Sequence, residues 1–286
     1  MMIKAHVFIV LMLFAVLSAS PLAAAKTVNT TVPDSWQLLL MKAALKRVDS
    51  SYQVNTITTE MNQKRKVEES LAGNIDVFWS MTSRPLEEQL LPIRIPIFKG
   101  LLGNRLLIIR KQSQQEFNQI SNRQDFAKFT AGQNHYWPDT DIIKSANLPI
   151  VTSYRYKNLY PMLEGARFDY LALGAQEIWQ ELAKHPDPAL KVDERVLLQY
   201  RSPAYFFVAP SQAQLAKDLL QGLESMVADG SFDEQYNHYF KIEELYAKAN
   251  FNQRVVIRID TPGLHQLTPV NRPELWLDLF DIRGVN

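Results

Sequence analysis

Along residues 26–259 the chain alternates short runs of β-branched, aliphatic and aromatic residues with stretches whose apolar residues recur three and four positions apart. Strands show a period of two or an unbroken apolar run, and helices a period of 3.6, so this alternation restricts the chain to a layered α/β fold. Strands are predicted over 28–32, 52–58, 75–79, 101–110, 126–130, 150–153, 168–173, 205–209 and 254–259, with extended chain over 91–98 and 192–199. The third, Ile75-Asp76-Val77-Phe78-Trp79, is apolar enough to be covered on both faces. Helices are predicted to follow Asp34-Ser35, a possible N-cap, with Leu38, Leu39, Met41, Ala44 and Leu45 on one face, and over 62–72, 85–90, 139–146, 159–164, 174–184, 212–228 and 232–249. Gly73-Asn74 ends the second helix, because glycine adopts positive φ without penalty.

The N-terminus has a different pattern. Lys4 precedes an apolar run, Val7 to Leu17, and Ala23-Ala24-Ala25 offers small residues for cleavage before Lys26, so residues 1–25 are expected to be a secretory signal peptide. The run falls short of the roughly 20 residues needed to span a bilayer. Without cysteine the chain has no lipid-attachment thiol, disulfide or thiolate metal site. Stability then rests on core burial, for which residues 26–286 suffice as one large domain or two lobes. The 31 Lys and Arg, of which Lys4 leaves with the leader, face 30 Asp and Glu. This balance gives no basic stripe for nucleic acid and no cationic amphipathic face for a membrane surface.

Catalysis is not expected. There is no GxSxG elbow, HExxH or Walker loop, and His135, His185, His238 and His265 are scattered. Neither a cofactor nor a metal is implied.

Four segments in order, GNIDVFWSMTSR at 73–84, LPIRIPIFKGLLGNRLLIIR at 91–110, GARFDYLALG at 165–174 and MVADGSFDE at 226–234, resemble the type II periplasmic solute-binding proteins of the amino-acid type. The resemblance spans most of residues 26–286. It implies a two-lobed α/β fold, each lobe a central mixed sheet flanked by helices, joined by two crossover strands. The first lobe is expected over 26–107 and again over 205–286, and the second over 108–204. The polar stretch 111–122 marks the expected passage between them. The tail beyond Asn250, too short for a core of its own, is expected to pack on the first lobe.

The implied function is capture of a small polar, carboxylate-bearing solute between the lobes. Delivery would be to an inner-membrane transporter permease or a membrane sensor, by a periplasmic protein acting as a monomer. Some relatives of the fold are dehydratases, which keeps an enzyme as the lesser alternative. Arg84 matches the arginine that grips a ligand carboxylate in the family, and a guanidinium forks well onto such a group. Alternatively it pairs with Glu87 or Glu88 at the surface. Ser80 and Thr82 follow the third strand, where hydroxyls either meet a ligand or cap the next helix. Trp79 either stacks on the ligand or joins the core.

In the second lobe Gln133, Tyr136 and Trp137 lie in a loop the family uses for ligand contacts. Free N–H groups at the helix start near Asp139 could face an anion there. Asp169 matches a family acid with either a binding or a structural role. The family's second acid, which takes the ligand ammonium, corresponds to Gly174, with Glu177 the nearest carboxylate beyond it.

Overall fold

The computed structural model describes residues 25–33, 35–59 and 61–279, so Asp34 and all but Ala25 of the expected signal peptide lie outside the described residues. Twelve strands occur among them: β1 (Lys26–Thr30), β2 (Tyr52–Thr56), β3 (Phe78–Met81), β4 (Leu91–Ile93), β5 (Asn104–Arg110), β6 (Ala131–Asn134), β7 (Ile150–Ser153), β8 (Tyr170–Gly174), β9 (Leu190–Val192), β10 (Val196–Gln199), β11 (Ala204–Val208) and β12 (Val255–Arg258).

They build two sheets. In the first lobe β1 pairs in parallel with β2, and a parallel bridge between Thr30 and Val77 carries the sheet on to β3. β11 runs antiparallel between β3 and β4. The resulting order is β2-β1-β3-β11-β4, with β11 the strand that returns from the other lobe. The second lobe has the order β12-β10-β5-β8-β6-β7, with β9 also against β5. There β6, β7 and β8 are mutually parallel, and β5 opposes β8. The chain crosses outward at the turn Leu101–Gly103 and back over residues 200–203.

Several expectations are corrected. All of β5 belongs to the second sheet, so the division expected at 107 falls inside a strand. Hydrophobicity marks a buried strand without saying which sheet buries it. The polar stretch 111–122 is already within the second lobe, where Gln114 donates to Asp193 at 2.8 Å. The strand expected over 126–130 is replaced by helix Arg123–Phe126, because the Asn122 side chain accepts from the Asp125 N–H at 3.0 Å and caps a helical turn. The helix expected over 232–249 is two, Ser231–Phe240 and Ile242–Ala249, divided at Lys241 with φ of 48°. β12 does not pack on the first lobe. It pairs in parallel with β10, covering an edge whose N–H and C=O groups would otherwise be open.

The first-lobe core closes where helix Trp36–Val48 meets helix Ala213–Ala228. Leu40, Met41, Ala44 and Leu45 interdigitate there with Leu219, Leu223 and Met226, all fully buried. Each large side chain contributes about 1.5–3 kcal/mol of burial. The helices approach closely only because position 222 is glycine, since a Cβ there would lie 2.1 Å from the Ala44 carbonyl oxygen. Gly222→Ala gains about 1 kcal/mol in helix propensity, but must separate two backbones, at the upper end of the roughly 1–3 kcal/mol cost of overpacking. The expected outcome is a lower denaturant midpoint with an unchanged slope. A midpoint at or above the parent's would show that the helices part freely.

Candidate functional site

A cleft of 390 Å³ lies between the lobes. The first lobe contributes Gln63 and Lys66 from helix Gln63–Leu71, Phe78 to Met81 from β3, and Leu102 at the crossing. The second lobe contributes Arg105 from β5, Trp137 to Asp139, Tyr156, Leu173, Glu177 and Glu181. A neighbouring cavity of 300 Å³ shares Gln63, Met81, Trp137 and Pro138, and adds Thr82, Arg84, His135, Tyr136 and Arg201.

The floor of the cleft is a buried charge cluster. Arg105, 4% exposed, donates to the Asp139 carboxylate, which also accepts from the Tyr200 hydroxyl, and the guanidinium lies over the Tyr200 ring at 5.6 Å. A buried guanidinium without a counter-charge would be prohibitively costly, so Asp139 and Arg105 are mutually required. Burial pushes the Tyr200 hydroxyl far up, keeping it a neutral donor. Glu177 stands at the edge of the cluster, 3.8 Å from Arg105, and accepts from the Gly174 N–H at 3.0 Å. Loss of water between the cleft walls raises its carboxyl in spite of those two contacts, which act to lower it. Burial likewise raises Glu181, but hydrogen bonds from Lys184 and Tyr156, both at 2.7 Å, outweigh it and hold this acid below its ordinary value.

Lys66 is the opposite case. Half-buried on the facing wall, its ammonium is lowered by desolvation and has no hydrogen-bond or ion-pair partner among the described residues.

Three of the residues singled out from sequence line this cleft. Trp79 sits edge-on to Phe98 at 5.3 Å, Ser80 accepts from Gln63 at 3.2 Å, and the Trp137 ring lies 5.4 Å from Tyr156. Thr82, Arg84 and Tyr136 open instead into the neighbouring cavity. Thr82 donates to Glu87, and Arg84, with 77% of its side chain exposed, pairs with Glu88 at 3.0 Å, the surface alternative weighed for it. Gln133 and Asp169 line neither cavity. Gln133 is fully buried in β6, with its amide unpartnered among the described residues. Asp169 accepts from the Thr130 N–H at 2.8 Å and from Arg110 at 3.2 Å, a structural role at the start of β8.

The expected anion site at the start of helix Pro138–Ser145 is corrected. Pro138 has no N–H to offer, and Asp139 and Asp141 already place negative charge in the first turn. Lys66, Arg105, Asp139, Tyr156 and Glu181 were not anticipated. One signal was present: Arg105 is a charge inside an otherwise apolar run that becomes a buried strand, which requires a partner. Among the described residues no group of three His, Asp or Glu side chains is placed to hold a metal ion.

Removing Asp139 strands Arg105, so Asp139→Ala is expected to lose about 3–5 kcal/mol in denaturant unfolding, and the charge-free pair Arg105→Met with Asp139→Leu to recover much of it. Equal stability of Asp139→Ala and parent would show that the pair is not desolvated. For Glu177, a carboxyl raised in the folded state contributes stability that is complete below its unfolded value and is lost as pH rises through the folded one. Glu177→Gln is therefore expected to match the parent near pH 4 and to exceed it at about pH 7.5 in a series of melts. A variant less stable than the parent at the higher pH would contradict the direction of the shift.

No protein-family model matches the chain, and no curated protein matches it. Solved structures do. An ancestral arginine-binding protein bound to arginine superposes with a TM-score of 0.55 at 16% identity, covering 75% of this chain and 98% of its own. An arginine transport-system periplasmic binding protein from Legionella pneumophila gives 0.56 at 14%, covering 76% and 100%. An ancestral amino-acid-binding protein, precursor of a cyclohexadienyl dehydratase, gives 0.54 at 13%, covering 76% and 95%. At these identities the likeness is one of architecture, and the chain has the two-lobed α/β fold of the type II amino-acid-binding periplasmic proteins.

Proposed function

We propose that the protein is an exported solute-binding receptor that takes a small polar, carboxylate-bearing ligand into the interlobe cleft and presents it in the periplasm to a membrane transporter. The observation that carries this reading is the cleft itself. Its walls come from both lobes, and it brings together aromatic faces, hydroxyl and amide groups and charges of both signs. Pockets that orient small ligands combine apolar walls with a few such placed polar groups.

Within this reading the ligand anion goes to Lys66. Arg105 is committed to Asp139, and Arg84 lies outside the cleft lining and is held by Glu88. The position of the family's second acid is Gly174, and Glu177, bonded to that same N–H, offers a carboxylate to a ligand cation. Trp79, Ser80 and Trp137 complete the contacts. The arginine-bound ancestral protein is the precedent for a ligand bearing both signs of charge.

The test is a thermal-shift screen with amino acids, organic acids, polyamines and sugars, because a ligand that binds only the folded state raises the melting temperature. L-arginine, L-glutamine and glutarate are the first probes, and affinity near micromolar corresponds to about 8 kcal/mol. A charged hydrogen bond contributes about 1.5–3 kcal/mol. Lys66→Met is therefore expected to weaken a carboxylate-bearing hit at least about tenfold by titration calorimetry. Unchanged affinity would remove Lys66 from the site, and a screen without any hit would end the receptor reading.

A further inference from the structure

Among the described residues the chain passes between the lobes four times rather than twice. After the two crossings at 101–104 and 200–203, residues 250–254 lead from helix Ile242–Ala249 of the first lobe to β12 in the second, and residues 259–268 lead back. Both ends of this last excursion are fastened. On the second lobe β12 is paired with β10 from Val255 to Arg258, and the Arg254 guanidinium donates to the carbonyls of Asp193 and Val196 at 2.8 and 3.0 Å.

On the first lobe Arg272 forks onto Glu224 of helix Ala213–Ala228 at 2.6 and 2.8 Å. The Leu277 N–H donates to the Lys99 carbonyl at 2.8 Å, and Leu275 and Leu279 are 2% exposed. Trp276 connects the tail to the hinge: its ring fills the space a Cβ at Gly100 would need, at 2.6 Å, and faces the Arg201 guanidinium at 5.5 Å. Gly100 precedes the first crossing and Arg201 lies in the second. A cavity of 680 Å³ is walled by Gly100, Asn104 and Arg201 at the two crossings and by Ile259, Thr261 and Trp276 of the last segment, which places that segment beside the hinge.

Hinge closure works because a few residues absorb the change in φ and ψ while each lobe moves as a body. Two crossings permit that rotation, whereas a further segment anchored on both lobes resists separation. We propose that residues 259–279 form an interlobe strap that limits opening and keeps the ligand-free lobes near their closed separation. A receptor so restrained spends less of its binding free energy on rearrangement. The three solved structures compared above match over 95–100% of their own length but only 75–76% of this chain. Residues 1–24 alone are too few to make up the unmatched quarter, so this chain carries added elements elsewhere.

The absence of cysteine makes the test direct. Cysteines placed at the exposed positions Lys64 and Lys157, one on each lobe, carry spin labels for pulsed dipolar distance measurement. Two variants loosen the strap: a four-residue Gly-Ser insertion after the exposed Gly263, and Trp276→Ala. The expected result, without added solute, is a narrow distribution for the parent. In both variants the distribution becomes broader and shifts to longer separations, while the insertion leaves the melting temperature unchanged. An insertion variant with the parent's distribution, or a parent as broad as the variants, overturns the proposal. Should Trp276→Ala fail to fold, the insertion decides alone.

Discussion

The buried contact among Arg105, Asp139 and Tyr200 fixes the centre of the molecule. Arg105 is the second residue of β5, immediately after the chain enters the second lobe, and Tyr200 follows β10, immediately before it leaves. Asp139, in the first turn of its helix, takes both donors. Bringing a guanidinium and a carboxylate out of water costs several kcal/mol per ion, and only near-ideal geometry compensates. The cluster therefore tolerates little displacement, and it holds both crossings against one helix. The Tyr200 N–H donates to the Gly103 carbonyl at 3.0 Å, so the crossings are also joined through their backbones.

This commitment shapes the cleft above it. An arginine at the floor of a ligand site would ordinarily be the first choice for an anion, but here its charge is already neutralised. What the cleft has left is a lysine on one wall and a glutamate on the other, each made less comfortable by desolvation. The groups best suited to a ligand are thus those whose charged forms burial disfavours, in line with the clustering of perturbed ionisable groups at functional sites.

Much of the architecture was legible because it follows from local patterns. Apolar runs became β3, β5, β8 and β11, and the family resemblance supplied the lobes. Trp79 and Ser80, at the end of the apolar run that leads into β3, and Trp137, just before a helix, line the cleft because α/β folds turn such positions toward the crevice. Lys66 was not legible, for a physical reason. It is one of three cations in Lys64-Arg65-Lys66, and only the burial of Val67 and Ser70 decides which of them turns inward. Arg84, whose neighbours resemble a family motif, borders the neighbouring cavity and pairs with Glu88 one helical turn away, a contact that a local window does contain. The placement of β12 depends on an open edge created by the rest of the sheet, which no local window contains.

Lys66 and Glu177 also bear on how the cleft closes. The two residues line the cleft from opposite lobes, and no ion pair joins them. Opposite charges 4 Å apart attract by about 1 kcal/mol in water and about 4 kcal/mol at an effective dielectric of 20. The charges alone therefore favour closing the cleft without a guest. Trp79 and Trp137 line the same cleft, one from each lobe, and their rings limit how far its walls can approach. On the proposed receptor reading, a solute that carries an anion and a cation would replace the direct attraction with two charged hydrogen bonds. An uncharged sugar of the same volume would, on that reading, leave the Lys66 ammonium desolvated without a partner, which disfavours neutral solutes.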